Sequence, residues 1–355
     1  MDLLDEDPYE KLCGIPEKDI FVAILNNNPL LLNDVLRCLK EEGRYWMNCI
    51  QKKSGRTPLH ACARAGHFEI MRLLCEEWNT PKFSLEVSDI HGRTCLHEAA
   101  QACFPTMVEY LIRQGAKIDS LKKGDWTPLM LACTKIGKPA VNTIKVLLKS
   151  GANIKLSNKD GWTPLHIAVR EGDTEVISLL ISKEADVSAV TKNGRTLLHI
   201  AALNSQVKAV ELLVNNYHIS VNDKDMCGIT PLLDAAIGGC EQIARLLINK
   251  GACVNQVDAM GLSCLHLAAE SGHDSMVKFL IQECGMNVNL QAEGTAVTPL
   301  HCASRANQKA TAKILLDLGA DVNLLARGRT VAGASYGVEE EELRYVFEEV
   351  MNIFT

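Results

Sequence analysis

The residues of this chain that could do chemistry are its lysines, tryptophans, cysteines and histidines. Two stretches, "LKKGDWTPLMLAC" from Leu121 and "SNKDGWTPLHIAV" from Ser157, each place a tryptophan directly before Thr-Pro, with lysine a few residues upstream. A deprotonated lysine is a nucleophile, and tryptophan is among the residue types most enriched at binding hot spots. Fourteen cysteines and ten histidines add candidate thiolates, acid–base groups and metal ligands.

Most of the sulfur and imidazole is explained by position. No C-x-x-C pair occurs, and Cys62, Cys133 and Cys302 sit among small apolar residues just after a Thr-x-Leu tetrapeptide, where a small hydrophobe suits a tight core. Reduced, structural thiols are expected. "HEAA" at His97 lacks the second histidine of H-E-x-x-H, and neither a G-x-x-x-x-G-K-S/T loop nor a strand-led G-x-G-x-x-G appears. The chemistry therefore has to be sought in how the lysines and tryptophans are held.

What holds them is a repeat. The tetrapeptide recurs as T-P-L-H at Thr57, T-C-L-H at Thr94, T-P-L-M at Thr127 and T-P-L-H at Thr163. It returns as T-L-L-H at Thr196, T-P-L-L at Thr230, S-C-L-H at Ser263 and T-P-L-H at Thr298, and as a worn ninth copy at Thr330. Successive starts of the eight regular copies lie 33 to 37 residues apart. Only a tandem array produces such spacing.

Each copy has a physical reading. The threonine hydroxyl caps a helix, and proline follows at the first helical position, where no amide hydrogen is needed. A second helix follows, as in "TEVISLLISK" from Thr174, with Val176, Leu179 and Leu180 on one face. Gly-Ala ends it at Gly115, Gly151, Gly251 and Gly319, and an Asp-Gly type turn leads to the next threonine. Six histidines (His60, His97, His166, His199, His266, His301) fill the tetrapeptide's last position, where the ring is expected to bridge backbone groups of neighbouring copies.

The chain has 355 residues, 47% of them apolar, and a net charge of −6. That mild acidity argues against an extended nucleic-acid or anionic-membrane surface. No apolar run approaches the roughly 20 residues of a bilayer span, and the acidic start "MDLLDEDPYEK" is unlike a signal peptide. The ends read as caps: two short helices between Ile20 and Leu39, and an amphipathic helix carrying Leu343, Val346, Phe347, Val350, Met351 and Phe354. The expected organisation is one all-α repeat solenoid over 1–355. It comprises a tail and capping helices at 1–50, eight regular repeats at 51–329 and a capping repeat at 330–355.

The period, the T-P-L-H, the Gly-Ala exit and the Asp-Gly turn closely resemble the ankyrin repeat family, over about Leu12 to Thr355. The resemblance implies about nine to ten helix–turn–helix units joined by hairpin-like tips, and a function in binding proteins rather than in catalysis. The tip residue before each tetrapeptide reads Arg56, Arg93, Trp126, Trp162, Arg195, Ile229, Leu262 and Val297. Its first five members are hot-spot types. Arg56, Arg93, Lys122, Trp126, Trp162 and Arg195 are therefore the partner-binding candidates.

Within the family, "LKKGDWTPLMLACT", "NKDGWTPLHIAVREGD" and "DMCGITPLLDAAIGG" are similar to ankyrin proteins that serve as cofactors of alanyl-tRNA synthetase. That similarity implies binding to the catalytic domain of the synthetase and capture of wrongly activated serine on lysine side chains. The acceptor lysines carry over to Lys123 and Lys159. A third falls near Ser188, where this chain has no lysine; Lys183 and Lys192 lie close by in sequence. Lys122 and Lys123, as adjacent cations, are expected to lower each other's pKa. No cofactor, metal, nucleic acid or membrane is expected, and the chain is read as a monomer of the cytoplasm and nucleus. The competing reading is a general ankyrin scaffold in signalling or transcription.

Overall fold

The computed structural model describes residues 16–78, 84–217 and 219–326. The tail before residue 16 and the capping repeat at 330–355 lie outside the described residues. Among those described, eighteen α-helices alternate with tight turns and no strand forms beyond isolated bridges, two of which are Lys122 with Trp126 and Val257 with Ser263. None of these helices is long and apolar enough to cross a membrane.

The chain divides into two compact units, residues 1–167 with 178–185, and residues 168–177 with 186–355. In the first unit the leading helices are Pro16–Leu25, Pro58–Ala65, Cys95–Gln101 and Pro128–Ala132, each packed on the next. Their partners are Pro29–Glu41, Phe68–Arg72 continuing as a π-helical turn at Leu73–Glu77, Pro105–Arg113 and Lys138–Lys149. In the second unit Leu197–Leu203, Pro231–Gly238, Cys264–Ser271 and Pro299–Arg305 pack in series, as do Val207–Tyr217, Glu241–Asn249, Asp274–Gln282 and Lys309–Asp317.

The local signals act where the sequence places them. The Asn26–Asn28 break falls between the first two helices; Asn28 caps the second, its side chain accepting from the Leu31 amide at 3.0 Å. Thr127 caps its helix by accepting from the Met130 amide at 3.2 Å. At the other helix exit Gly115, with φ of 94°, closes a Schellman turn. Its amide donates to Ile112 and the Ala116 amide to Leu111.

Four of the tetrapeptide histidines do what the sequence expects. Nδ1 of His60 accepts from the Thr57 amide at 3.2 Å, so the ring proton belongs on Nε2, which donates to the Arg93 carbonyl of the next tip at 2.7 Å. His97 reaches the Trp126 carbonyl, His199 that of Ile229 and His266 that of Val297 in the same way. Histidine thus takes the place that Glu or Gln holds in an ordinary capping box and adds a tie between repeats.

Small residues let leading helices approach closely: Cys62, Ala63, Ala99, Ala100, Ala132 and Cys133 are essentially inaccessible to solvent. Burial pushes the Cys62 thiol well above its ordinary range and that of Cys264 up to about 12, so these sulfurs are packing groups rather than thiolates.

Candidate functional site

A tip begins with a residue whose amide donates to the carbonyl of the residue before the tetrapeptide: Asp89 to Arg93, Asn158 to Trp162, Asp225 to Ile229, Asp258 to Leu262. In these tips the first residue also closes the loop with its side chain. Oδ1 of Asn158 accepts from the Asp160 and Trp162 amides, both at 2.9 Å, and Asp89, Asp225 and Asp258 do the same. This is an Asx turn, which needs an oxygen at that position.

Lys122 occupies that position in the third tip and has no oxygen to offer. The chain solves the loop differently. Gly124 and Asp125 are both left-handed, with φ of 83° and 61°, and Asp125 stands where the other Asx tips carry glycine. Released from the loop, the Lys122 ammonium lies 5.1 Å from the centre of the Trp126 ring and is half-buried. Burial, more than its neighbours, lowers the Lys122 pKa, and the Arg93 charge adds to this. The mutual effect expected of Lys122 and Lys123 is not among those causes.

The next residue of the tip is the apex. In the first unit its amide donates backward to the preceding tip: Ile90 to Ser54 at 3.1 Å, Lys123 to His91 at 2.9 Å, Lys159 to Gly124 at 3.0 Å. Lys123 and Lys159 are therefore held at the backbone while their side chains are exposed. Trp126 and Trp162, three residues on, are half-buried, and the Trp162 ring lies 6.2 Å from that of His166. In the second unit Lys192 has the apex position of its own turn, where the Thr191 amide donates to Arg195, and it too is exposed. Lys192 stands four residues before its tetrapeptide threonine, as Lys123 and Lys159 do, so register and hydrogen-bond pattern agree.

The three tip arginines are held inside their units. Arg56 and Arg93 meet at the buried carboxylate of Glu98, at 3.2 and 3.3 Å, and Arg93 also donates to Oε1 of Gln101 at 2.8 Å. Arg195 donates to Asp225 at 3.2 Å and to Asp234 at 2.9 Å. Each arginine side chain keeps about a quarter of its surface accessible, 22 to 24%. Burial drives the Asp234 carboxyl up to about 7 against the pull of Arg195. Sequence reasoning missed both carboxylates, although a signal existed. Glu98 and Asp234 are the acids four residues after a tetrapeptide threonine, and each follows a tip arginine of the preceding repeat. In the second unit the tip residues Ile229 and Leu262 turn inward and are buried.

No group of three metal-ligating side chains forms among the described residues. The arrangement is a row of turns carrying exposed amines and half-buried indoles on a helical framework.

The fold and this surface define a protein-interaction repeat array. The profile of ankyrin repeats (3 copies) matches in overlapping segments at residues 20–122, 81–158, 129–225, 218–292 and 255–326, and the chain belongs to the ankyrin repeat family. It is 26% identical over 295 residues to the transient receptor potential cation channel subfamily A member 1 of Drosophila melanogaster, covering 82% of this chain and 22% of the channel. It is 30% identical over 130 residues to the nuclear factor NF-kappa-B p105 subunit of Gallus gallus, 36% of this chain and 13% of that one. Human Rabankyrin-5 is 33% identical over 104 residues, 29% of this chain and 9% of the relative. The chain thus spans less than a quarter of the length of these relatives.

Proposed function

We propose that this chain is a non-catalytic, protein-binding cofactor of alanyl-tRNA synthetase. It docks on the synthetase's catalytic domain and takes misactivated serine onto its own lysines, keeping serine out of alanine codons. The resemblance behind this reading is to ankyrin repeat domain-containing protein 16, strongest from Leu121 to Asp173. The observation that supports it is the presentation of Lys123 and Lys159: successive turn apices, tied at the backbone, exposed at the amine and each three residues from a half-buried tryptophan.

The chemistry needs only an amine in the right place. The neutral Nζ attacks the carbonyl carbon of seryl-adenylate, an amide C–N bond forms, the C–O bond to the phosphate breaks, AMP leaves and a proton passes to solvent. A lysine of pKa near 10.4 is neutral in about one molecule per thousand at physiological pH. Holding it beside the adenylate supplies the larger part of the rate through effective concentration. In this reading Trp126 and Trp162 anchor the interface, and Lys123 and Lys159 face the adenylate. The chain acts as a monomer in the cytoplasm and nucleus and is consumed, or slowly recycled, by modification.

Purified chain incubated with synthetase, serine and ATP tests this directly. Co-elution with the synthetase and a one-seryl mass increment on Lys123 or Lys159 are expected; a chain that neither co-elutes nor gains the increment defeats the proposal. A general scaffold for another protein is the second reading, favoured by a family match that extends through repeats without a tip lysine. It predicts a partner lost with Trp126→Ala and Trp162→Ala but indifferent to Lys123→Arg and Lys159→Arg.

A further inference from the structure

We infer that a basic cleft in the first unit binds an acidic segment of a protein partner. The cleft is open, about 450 Å³, and lined by Arg64, Arg93, Glu98, Gln101, Ala102 and Lys135. Its residues come from the ends of three consecutive leading helices: Arg64 within Pro58–Ala65, Gln101 and Ala102 at the end of Cys95–Gln101, and Lys135 just beyond Pro128–Ala132.

The charges do not cancel. Glu98 is the one carboxylate among the lining residues; it is 3% exposed and already occupied by Arg56 and Arg93. Arg64 and Lys135 are exposed and form no ion pair among the described residues. Gln101 turns Oε1 toward Arg93, which leaves its amide N–H groups as the free end. What the cleft offers a ligand is therefore a guanidinium, an ammonium, the remaining face of Arg93 and an amide donor. All of these bind carboxylates, and the guanidiniums bind them in the charge-assisted geometry that gives both strength and direction.

The ligand is a peptide rather than a nucleic acid because the basic groups line one cleft of about 450 Å³ and not an extended groove that could follow a phosphate backbone. Ala102 leaves room for a main chain to pass. Arg93 is also the tip residue directly before Trp126 in repeat order, so an acidic segment in the cleft belongs to the same recognition surface as the tryptophans. The inference rests on the protein-binding role proposed above but not on the identity of the partner.

The probe is fluorescein-labelled hexaglutamate, followed by anisotropy on the full chain at low and at physiological salt. A short single-stranded RNA serves as competitor. Salt-sensitive binding of hexaglutamate is expected, weakened about tenfold or more by Arg64→Glu with Lys135→Glu while the thermal midpoint holds. Arg64→Ala with Lys135→Ala covers the case in which charge reversal unfolds the chain. Absence of hexaglutamate binding, equal binding by a folded double variant, or displacement by RNA overturns the inference. Absence of hexaglutamate binding by the parent chain with synthetase co-elution intact removes this inference alone and leaves the proposed function standing.

Discussion

The Lys122 ammonium stands over the Trp126 ring at 5.1 Å, and the same two residues close the turn between them, the Lys122 amide donating to the Trp126 carbonyl at 3.0 Å. The pair makes one amine of the Lys122–Lys123 doublet part of the scaffold and leaves the other exposed. Lys122→Met should cost no more than about 1 kcal/mol, the scale of a partly exposed cation–π contact. Urea titration followed by tryptophan emission measures it, and the amine of Lys123 should remain open to acetylating reagents in the variant.

Asp125 holds a left-handed conformation, φ 61°, at the tip position filled by Gly92 and Gly161 in the neighbouring turns. A residue with a Cβ is strained there, and glycine is not. Asp125→Gly should therefore stabilise the chain, by roughly 0.5–1 kcal/mol, with Asp125→Val destabilising it by at least as much. Thermal melts of both variants decide the point; a glycine variant less stable than the parent would mean that the Asp125 carboxylate has a compensating role.

Arg56 and Arg93 converge on Glu98. Removing the carboxylate leaves the Arg93 guanidinium without its acid and Arg56 with only Asp89, at 3.7 Å. Glu98→Ala should lower stability by about 2–3 kcal/mol, and Glu98→Gln by less, because the amide oxygen still accepts one hydrogen bond. The corresponding pair of the second unit, Arg195 with Asp234, provides an independent copy of the measurement.

Burial holds the His97 imidazole down to about 4 from an ordinary 6.5, and His60, His199 and His266 are lowered for the same reason. The native state therefore favours the neutral rings. Their contribution to stability is complete above pH 6.5 and is lost as the pH falls from there toward 4, since the unfolded chain takes up protons the folded one refuses. The thermal midpoint should fall across that window. His97→Gln should reduce the slope while costing stability at neutral pH, because the tie to the Trp126 carbonyl is weakened.

The period, the threonine caps, the glycine exits and the histidine ties were legible in the sequence. Each is signalled within one turn of chain, by a hydroxyl, a missing Cβ or a ring three residues from the amide that donates to it. The row of tip residues was legible too, but not what its members do. For Arg56 and Arg195, facing solvent or a carboxylate depends on the residue presented by the next repeat, 42 and 39 positions away: Glu98 for Arg56, Asp234 for Arg195.

By itself, then, the sequence determined that this is an ankyrin array, where each repeat begins, and which turns carry Lys123, Lys159, Trp126 and Trp162. The tertiary structure decided which charges are committed and which are open. It tied Arg56, Arg93 and Arg195 to buried acids, laid Lys122 over Trp126 and left Arg64 and Lys135 uncompensated. The reason is physical: caps and turns are satisfied by neighbours along the chain, whereas the desolvation of a charge depends on everything packed around it.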